Sequence, residues 1–179
     1  VIVYTSDQGF YMGEHGWFDK RFMYEESMRT PLIIRYPGMI KGGSTCDALV
    51  QNIDYAPTYL ALAGIEKPEF MEGTSLIPLF SGEVPADWRE YLYYHYYDYP
   101  AIHMVRRHDG VRDKQYKLIH FYGDKDKQRE AINCNELYDL KADPNELNNL
   151  YGNPEYKEIQ DRLQKRLDQF RVDLKVDEF

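Results

Sequence analysis

The rhythm of apolar and polar positions changes near the middle of the chain. Val1 to Thr5 and Pro31-Leu32-Ile33-Ile34-Arg35-Tyr36 are short apolar runs, the first ending in Ser6-Asp7-Gln8-Gly9 and the second in Pro37-Gly38. Runs without polar alternation predict strands covered on both faces, as in a layered α/β sheet. Asp54 predicts the cap of a helix running to Ala63, with Pro57 tolerated in its first turn and Gly64 as its stop. Strand, loop, strand, helix favours an α/β layer, part of a mixed sheet, over a sandwich.

The second half reads differently. Tyr91 to Tyr97, His103 to His108, Gln115 to Phe121 and Glu136 to Leu140 are short candidate strands, separated by turn signals such as Asp109-Gly110 and Gly123-Asp124. Antiparallel pairing is the natural expectation. Asn153-Pro154 marks a helix start, and Ile159, Leu163, Leu167, Phe170 and Leu174 then recur at steps of four, four, three and four. That spacing predicts an amphipathic helix over Pro154–Asp173 packed on a small antiparallel sheet, with Glu158–Arg162 and Asp161–Lys165 pairs on its wet face. The Gly/Pro/Ser-rich stretch Ser81 to Asp87 reads as a linker, giving one part over 1–85 and a second, α+β part over 86–179.

Charge sharpens that division. Residues 1–90 carry 20 charged side chains and residues 91–179 carry 32, so the first part is the drier one. The formal charge is −8, which gives no basic footprint for nucleic acid. No apolar run approaches the ~20 residues of a membrane span. Seventeen tyrosines suit both strands and sugar-stacking surfaces, and composition does not choose between them. Cys46 and Cys134 have no C-x-x-C partner, so neither a zinc site nor a disulfide framework is indicated. The chain opens on Val1-Ile2-Val3-Tyr4, inside a strand and without an initiator Met or signal-like segment; it reads as a fragment of a longer protein.

The chemistry concentrates in Ser6-Asp7-Gln8-Gly9 and Gly13-Glu14-His15-Gly16-Trp17-Phe18-Asp19-Lys20. Taken locally, Asp-Gln-Gly reads first as a turn. The same carboxylate and amide oxygen, just past the end of a strand, also suit a hard divalent cation, and open α/β sheets bind ligands at that edge.

The wider pattern resembles the type I sulfatases of the alkaline-phosphatase superfamily. Val3-Tyr4-Thr5-Ser6-Asp7-Gln8-Gly9 is followed by Gly13-Glu14-His15-Gly16, by Lys20 thirteen residues after Asp7, and by Arg29-Thr30-Pro31-Leu32-Ile33 and Tyr36-Pro37-Gly38. Asp54-Tyr55-Ala56-Pro57-Thr58 is similar to the family's Asp-x-x-Pro-Thr helix start. Gly110-Val111-Arg112, Tyr116-Lys117-Leu118-Ile119, Glu136-Leu137-Tyr138-Asp139-Leu140 and Asp143-Pro144-Asn145-Glu146 resemble its C-terminal subdomain. The resemblance implies sulfate-ester hydrolysis with a calcium ion and a formylglycine made from a Cys or Ser in a Cys/Ser-x-Pro/Ala-x-Arg motif. It implies Asp7 and Gln8 as metal ligands and Lys20 as the sulfate contact, with the cation and lysine offsetting charge on the sulfuryl oxygens. It also implies a periplasmic or secreted parent.

Neither Cys46 nor Cys134 stands in the modification motif, so the nucleophile is expected outside this chain, which alone should not turn over. Tyr96 to Val105 is similar to a segment of sulfatases acting on N-acetylglucosamine-6-sulfate and related glycans. His15, His95, His103, Arg106 and Arg107 are therefore candidate substrate contacts, against the plainer readings of a turn histidine and an amphipathic edge strand with solvated basic ends. Ser27, with no base in a recognisable spacing, reads as structural, and Trp17 and Trp88 as packing residues. Two other functions remain open: a phosphonate or phosphate-ester hydrolase of the same superfamily, and a non-catalytic glycan-binding module. An open apolar face left by a missing half is expected to favour dimerisation.

Overall fold

A computed structural model of the chain describes residues 1–127 and 129–176. Its elements are β1 (Ile2–Thr5), β2 (Tyr11–Met12), β3 (Phe18–Asp19), α1 (Glu25–Met28), β4 (Leu32–Arg35), α2 (Tyr55–Leu62), β5 (Leu92–Tyr96), β6 (His108–Arg112), β7 (Tyr116–Gly123), β8 (Ile132–Asp139) and α3 (Lys157–Asp173). They form two compact units. The first combines Val1–Asp7 with Thr30–Glu90, and the second combines Gln8–Arg29 with the chain from Tyr91 onward. A division at residue 85 would leave 8–29 in the first part; the structure packs that segment with the second unit instead.

In the first unit β1 and β4 pair antiparallel, Val3 opposite Ile34 and Thr5 opposite Leu32. Both strands were expected to be covered on two faces. One face is: Val3, Leu32 and Ile34 close with Tyr55, Tyr59, Leu62, Leu76 and Phe80 around a cavity of only about 10 Å³. The other is open, with Ile2 61%, Tyr4 64% and Ile33 62% exposed, because no described element of the unit lies over it. Asp54 stands at the N-cap position of α2 and Ala63 at its C-cap, as expected, but the Asp54 side chain makes no cap bond to α2. The residue in the cap position of the short 3₁₀ turn leading into α2 is Gln51, and the buried Asp54 carboxylate bonds back to the Gln51 N–H at 2.8 Å. The same carboxylate takes the Thr74 N–H at 2.8 Å and the Arg89 guanidinium, tying the loop after α2 to its start.

The second unit is a three-layer stack. Its sheet runs β5-β6-β7-β8, antiparallel throughout. On one face Val111, Leu118 and Leu137 meet Leu163 and Leu167 of α3, all fully buried, with Ile159 and Phe170 packed beside them. Asn153 caps the entry by accepting the Glu155 N–H at 3.1 Å, as the Asn-Pro signal predicts. Leu174 lies past the helix end and is exposed. On the wet side, Lys157 pairs with Asp161, and Arg162 turns to Asp113 rather than along the helix. The opposite sheet face holds Ile119, Phe121 and Tyr138 against Tyr11, Met23 and Tyr24.

Two strand expectations need correction. The segment His103 to His108 is not a strand; β6 begins at His108. Asp109-Gly110 is not a turn but the middle of β6, with Gly110 opposite both Tyr94 and Ile119. A Cβ at Gly110 would sit 2.5 Å from the Met23 sulfur and 2.5 Å from the Leu118 carbonyl oxygen. The glycine is there for close packing, which mimics a turn signal in the sequence.

Candidate functional site

The candidate site is built on Gln8–Arg29. β2 and β3 form a small hairpin around the Gly13–Gly16 turn, in which the Glu14 carboxylate accepts the Met12 N–H at 2.6 Å. Tyr11 anchors the hairpin from beneath: its ring is fully buried, its hydroxyl donates to the Phe22 carbonyl at 3.0 Å, and it accepts the Tyr24 N–H at 3.2 Å. Burial pushes the Tyr11 phenol far above its ordinary range, so it stays a donor at all working pH.

Gln8 and Lys20 meet through the Lys20 backbone. The Gln8 amide nitrogen donates to the Lys20 carbonyl at 2.5 Å and to the Ser27 hydroxyl at 2.8 Å, while Ser27 donates to the same carbonyl at 2.7 Å. A carbonyl oxygen only accepts, so the nitrogen end of the amide must face inward. The oxygen end is then the part of Gln8 that suits a hard cation. Next to it, the Gly9 N–H donates to the Ser27 carbonyl at 2.8 Å, and a Cβ on Gly9 would fall 1.9 Å from the Glu26 carbonyl oxygen. Only glycine allows that approach.

α1 is pinned to the sheet by a buried ionic cluster. Lys117 of β7, fully buried, lies 2.8 Å from Glu25, 2.8 Å from Glu146 and 2.8 Å from the Met23 carbonyl. Arg112 reaches both Glu25 oxygens at 2.8 Å, and Glu146 accepts the Glu25 N–H at 2.6 Å. Burial would raise the Glu25 carboxyl, but Lys117 and Arg112 outweigh it and hold it below the carboxylate range. The sequence offered one signal for this cluster: a lysine at an inward position of the strand that carries Ile119 and Phe121.

Asp7 is exposed at the end of the first unit and accepts the Ser6 hydroxyl at 3.3 Å. Asp7 and Gln8 are oxygen donors of the type calcium takes, yet they are only two. Among the described residues no group of three or more His, Cys, Asp or Glu side chains could hold a metal ion. Cys46 and Cys134 are free, exposed thiols.

The five candidate substrate contacts have different settings. His15 stacks on Tyr24 with ring centres 4.2 Å apart, its Nε2 3.5 Å from Glu26. His95 lies 2.5 Å from the Tyr122 hydroxyl and 3.2 Å from that of Tyr93, inside the sheet's own network. Arg106 is buried, binding the Glu130 carbonyl and lying 5.0 Å above the Tyr99 ring. Arg107 bonds the Tyr99 carbonyl at 2.9 Å and the Tyr97 carbonyl at 3.2 Å, so both arginines shape the loop before β6. His103 pairs with Asp19 at 2.8 Å, and its side chain is 38% exposed. It joins that loop to the hairpin carrying Lys20. Trp88 packs as expected, its indole N–H bonding the Leu49 carbonyl at 2.9 Å.

A strand-end Ser-Asp-Gln-Gly loop, a glycine-bounded turn and an antiparallel sheet closed by a C-terminal helix form an α/β fold shared with solved structures described as sulfatases. The chain belongs to the N-sulphoglucosamine sulphohydrolase C-terminal family, whose profile matches residues 13–173. It is 56% identical to an N-acetylglucosamine-6-O-sulfatase of Bacteroides thetaiotaomicron over 94% of this chain and 29% of that protein. A solved structure described as a complex with its substrate, D-glucosamine-2-N,6-O-disulfate, superposes with a TM-score of 0.90 at 54% identity, covering 99% of this chain and 35% of the other. A phosphonate monoester hydrolase from Silicibacter pomeroyi gives a TM-score of 0.76 at 29% identity, covering 96% of this chain and 34% of that one. The chain thus spans about a third of the length of the relatives it matches.

Proposed function

We propose that this chain is the C-terminal part of a carbohydrate sulfatase that hydrolyses 6-O-sulfate esters of glucosamine-type sugars in sulfated glycans. The observation that carries this reading is the 56% identity to the Bacteroides N-acetylglucosamine-6-O-sulfatase across 94% of the chain. In it, Asp7 supplies an anionic oxygen and Gln8 a neutral one to a calcium ion. Lys20 holds a positive charge against the sulfate. The bound cation would draw charge from the sulfuryl oxygens and favour ionisation of the nucleophile. That nucleophile, a formylglycine, belongs to the part of the protein outside these 179 residues, together with the remaining metal ligands.

A neutral Gln8 in place of a second carboxylate leaves more positive charge at the metal, which suits a sulfate monoanion. The partition into a catalytic part over 1–85 and a C-terminal α+β part over 86–179, with Gln8–Arg29 docked on the latter's sheet, belongs to the same reading. So does a periplasmic or secreted location; among the described residues no helix is long and apolar enough to cross a membrane. Ile2, Tyr4 and Ile33 form an apolar face that favours self-association of the isolated chain.

A phosphonate or phosphate-ester hydrolase is the second reading, favoured by the likeness to the Silicibacter hydrolase. The test compares kcat/KM of the full-length protein on N-acetylglucosamine-6-sulfate and on a phosphonate monoester such as phenyl phenylphosphonate. Preference for the sulfated sugar supports the first reading. Preference for the phosphonate replaces it with the second, and turnover of neither leaves a glycan-binding module.

A further inference from the structure

Ser27 is a fully buried hydroxyl with two bonds, both directed at the candidate site. It donates to the Lys20 carbonyl at 2.7 Å and accepts from the Gln8 amide nitrogen at 2.8 Å. Its own carbonyl takes the Gly9 N–H at 2.8 Å, so backbone and side chain of one residue hold Gln8-Gly9 and Lys20 together. We propose that Ser27 is a positioning residue, which fixes the amide orientation of Gln8 and thereby presents its oxygen to the metal. This deepens the function proposed above and rests on Gln8 being a ligand.

The reasoning is geometric. A primary amide has an acceptor end and a donor end of nearly equal size, and packing alone distinguishes them poorly. Two acceptors converging on the nitrogen, one carbonyl and one hydroxyl, remove that ambiguity. With the hydroxyl gone, the amide nitrogen loses one of the two acceptors that converge on it, and the orientation that presents the oxygen to the cation is less firmly held. The N–H₂ edge carries the positive end of the neutral amide's dipole and offers no lone pair to a cation. Outer-shell partners of this kind typically contribute about 10–100-fold in metal affinity. Ser27 is also set firmly itself, because α1 is held by Glu25 to Arg112 and Lys117.

The test uses the full-length protein stripped with chelator and titrated with calcium chloride, reading the calcium concentration at half-maximal thermal stabilisation. Ser27→Ala should raise that concentration on the order of 10-fold, each variant being referenced to the unfolding midpoint of its own metal-free form. Ser27→Cys, which fills the buried space but bonds weakly, should shift it the same way and keeps the test valid if the alanine variant folds poorly. In a Gln8→Ala background, Ser27→Ala should add nothing. Wild-type calcium affinity in both Ser27 variants overturns the inference and leaves the ligand reading standing, provided Gln8→Ala alone weakens binding. An equal loss with and without Gln8 also overturns it. Wild-type affinity in Gln8→Ala overturns the ligand reading and the inference together.

Discussion

Replacing Lys117 with methionine tests whether the buried ionic cluster fastens the Lys20-bearing segment to the sheet. Methionine keeps the length and volume of the stem, so the change removes charge with little loss of packing. It strips three 2.8 Å contacts from a fully buried ammonium. Glu25 retains Arg112 on both oxygens, but among the described residues Glu146 keeps the Glu25 N–H and no cation. Removing one partner of a buried ion pair costs about 3–5 kcal/mol, and the surviving Arg112 contact places this case near 3 kcal/mol. Urea denaturation at pH 7 measures the loss. Adding Glu146→Gln, which removes the stranded charge but keeps an acceptor for the Glu25 N–H, should return about 1–2 kcal/mol. Burial already pushes the Glu146 carboxyl up against the pull of Lys117, so the variant carries a further-raised folded pKa. A carboxyl raised in the folded state loses stability as pH rises, so the destabilisation should shrink toward pH 5. A loss below about 1 kcal/mol, or no recovery in the double variant, would refute the clamp.

Burial pushes the His108 imidazole from 6.5 down to about 4, among Phe22, Tyr94, Tyr96 and Phe121. The unfolded chain then binds the extra proton first as pH falls, so stability is complete above pH 6.5 and drops by about 3 kcal/mol on the way to pH 4; His108→Phe should flatten that part of the urea-midpoint profile, and an unchanged slope would contradict it. His103→Ala should raise KM for a 6-O-sulfated amino sugar and barely affect an unselective aryl sulfate. Equal effects on both substrates would assign His103 to holding Asp19 alone.

The legible and the hidden parts of this chain differ in their physical range. α3 was readable because its core contacts repeat every three to four residues, and Leu163 and Leu167 are buried where the pattern puts them. The Asn153 cap is equally local. β6 was misplaced because its centre is a glycine chosen for the approach of Met23, a contact 87 residues distant in sequence. Asp7, Gln8 and Lys20 could be singled out by the resemblance of their loop to a family pattern. The Ser27 latch could not, since its partners lie 19 and seven residues away and share no period. The Glu25–Lys117–Glu146 cluster joins three distant segments, and only the odd lysine in an apolar strand hinted at it.

The central claim is that the loop from Asp7 to Lys20 serves sulfate-ester cleavage. It is tested most directly by kcat and KM of the full-length protein with Lys20→Ala, on N-acetylglucosamine-6-sulfate and on an aryl sulfate. Loss of one preorganised electrostatic donor predicts a fall of about 10²–10³-fold in kcat on both substrates, with folding and calcium binding retained. An unchanged rate on both would mean that the thirteen-residue spacing from Asp7 to Lys20 is coincidence, and the site assignment would fall with it.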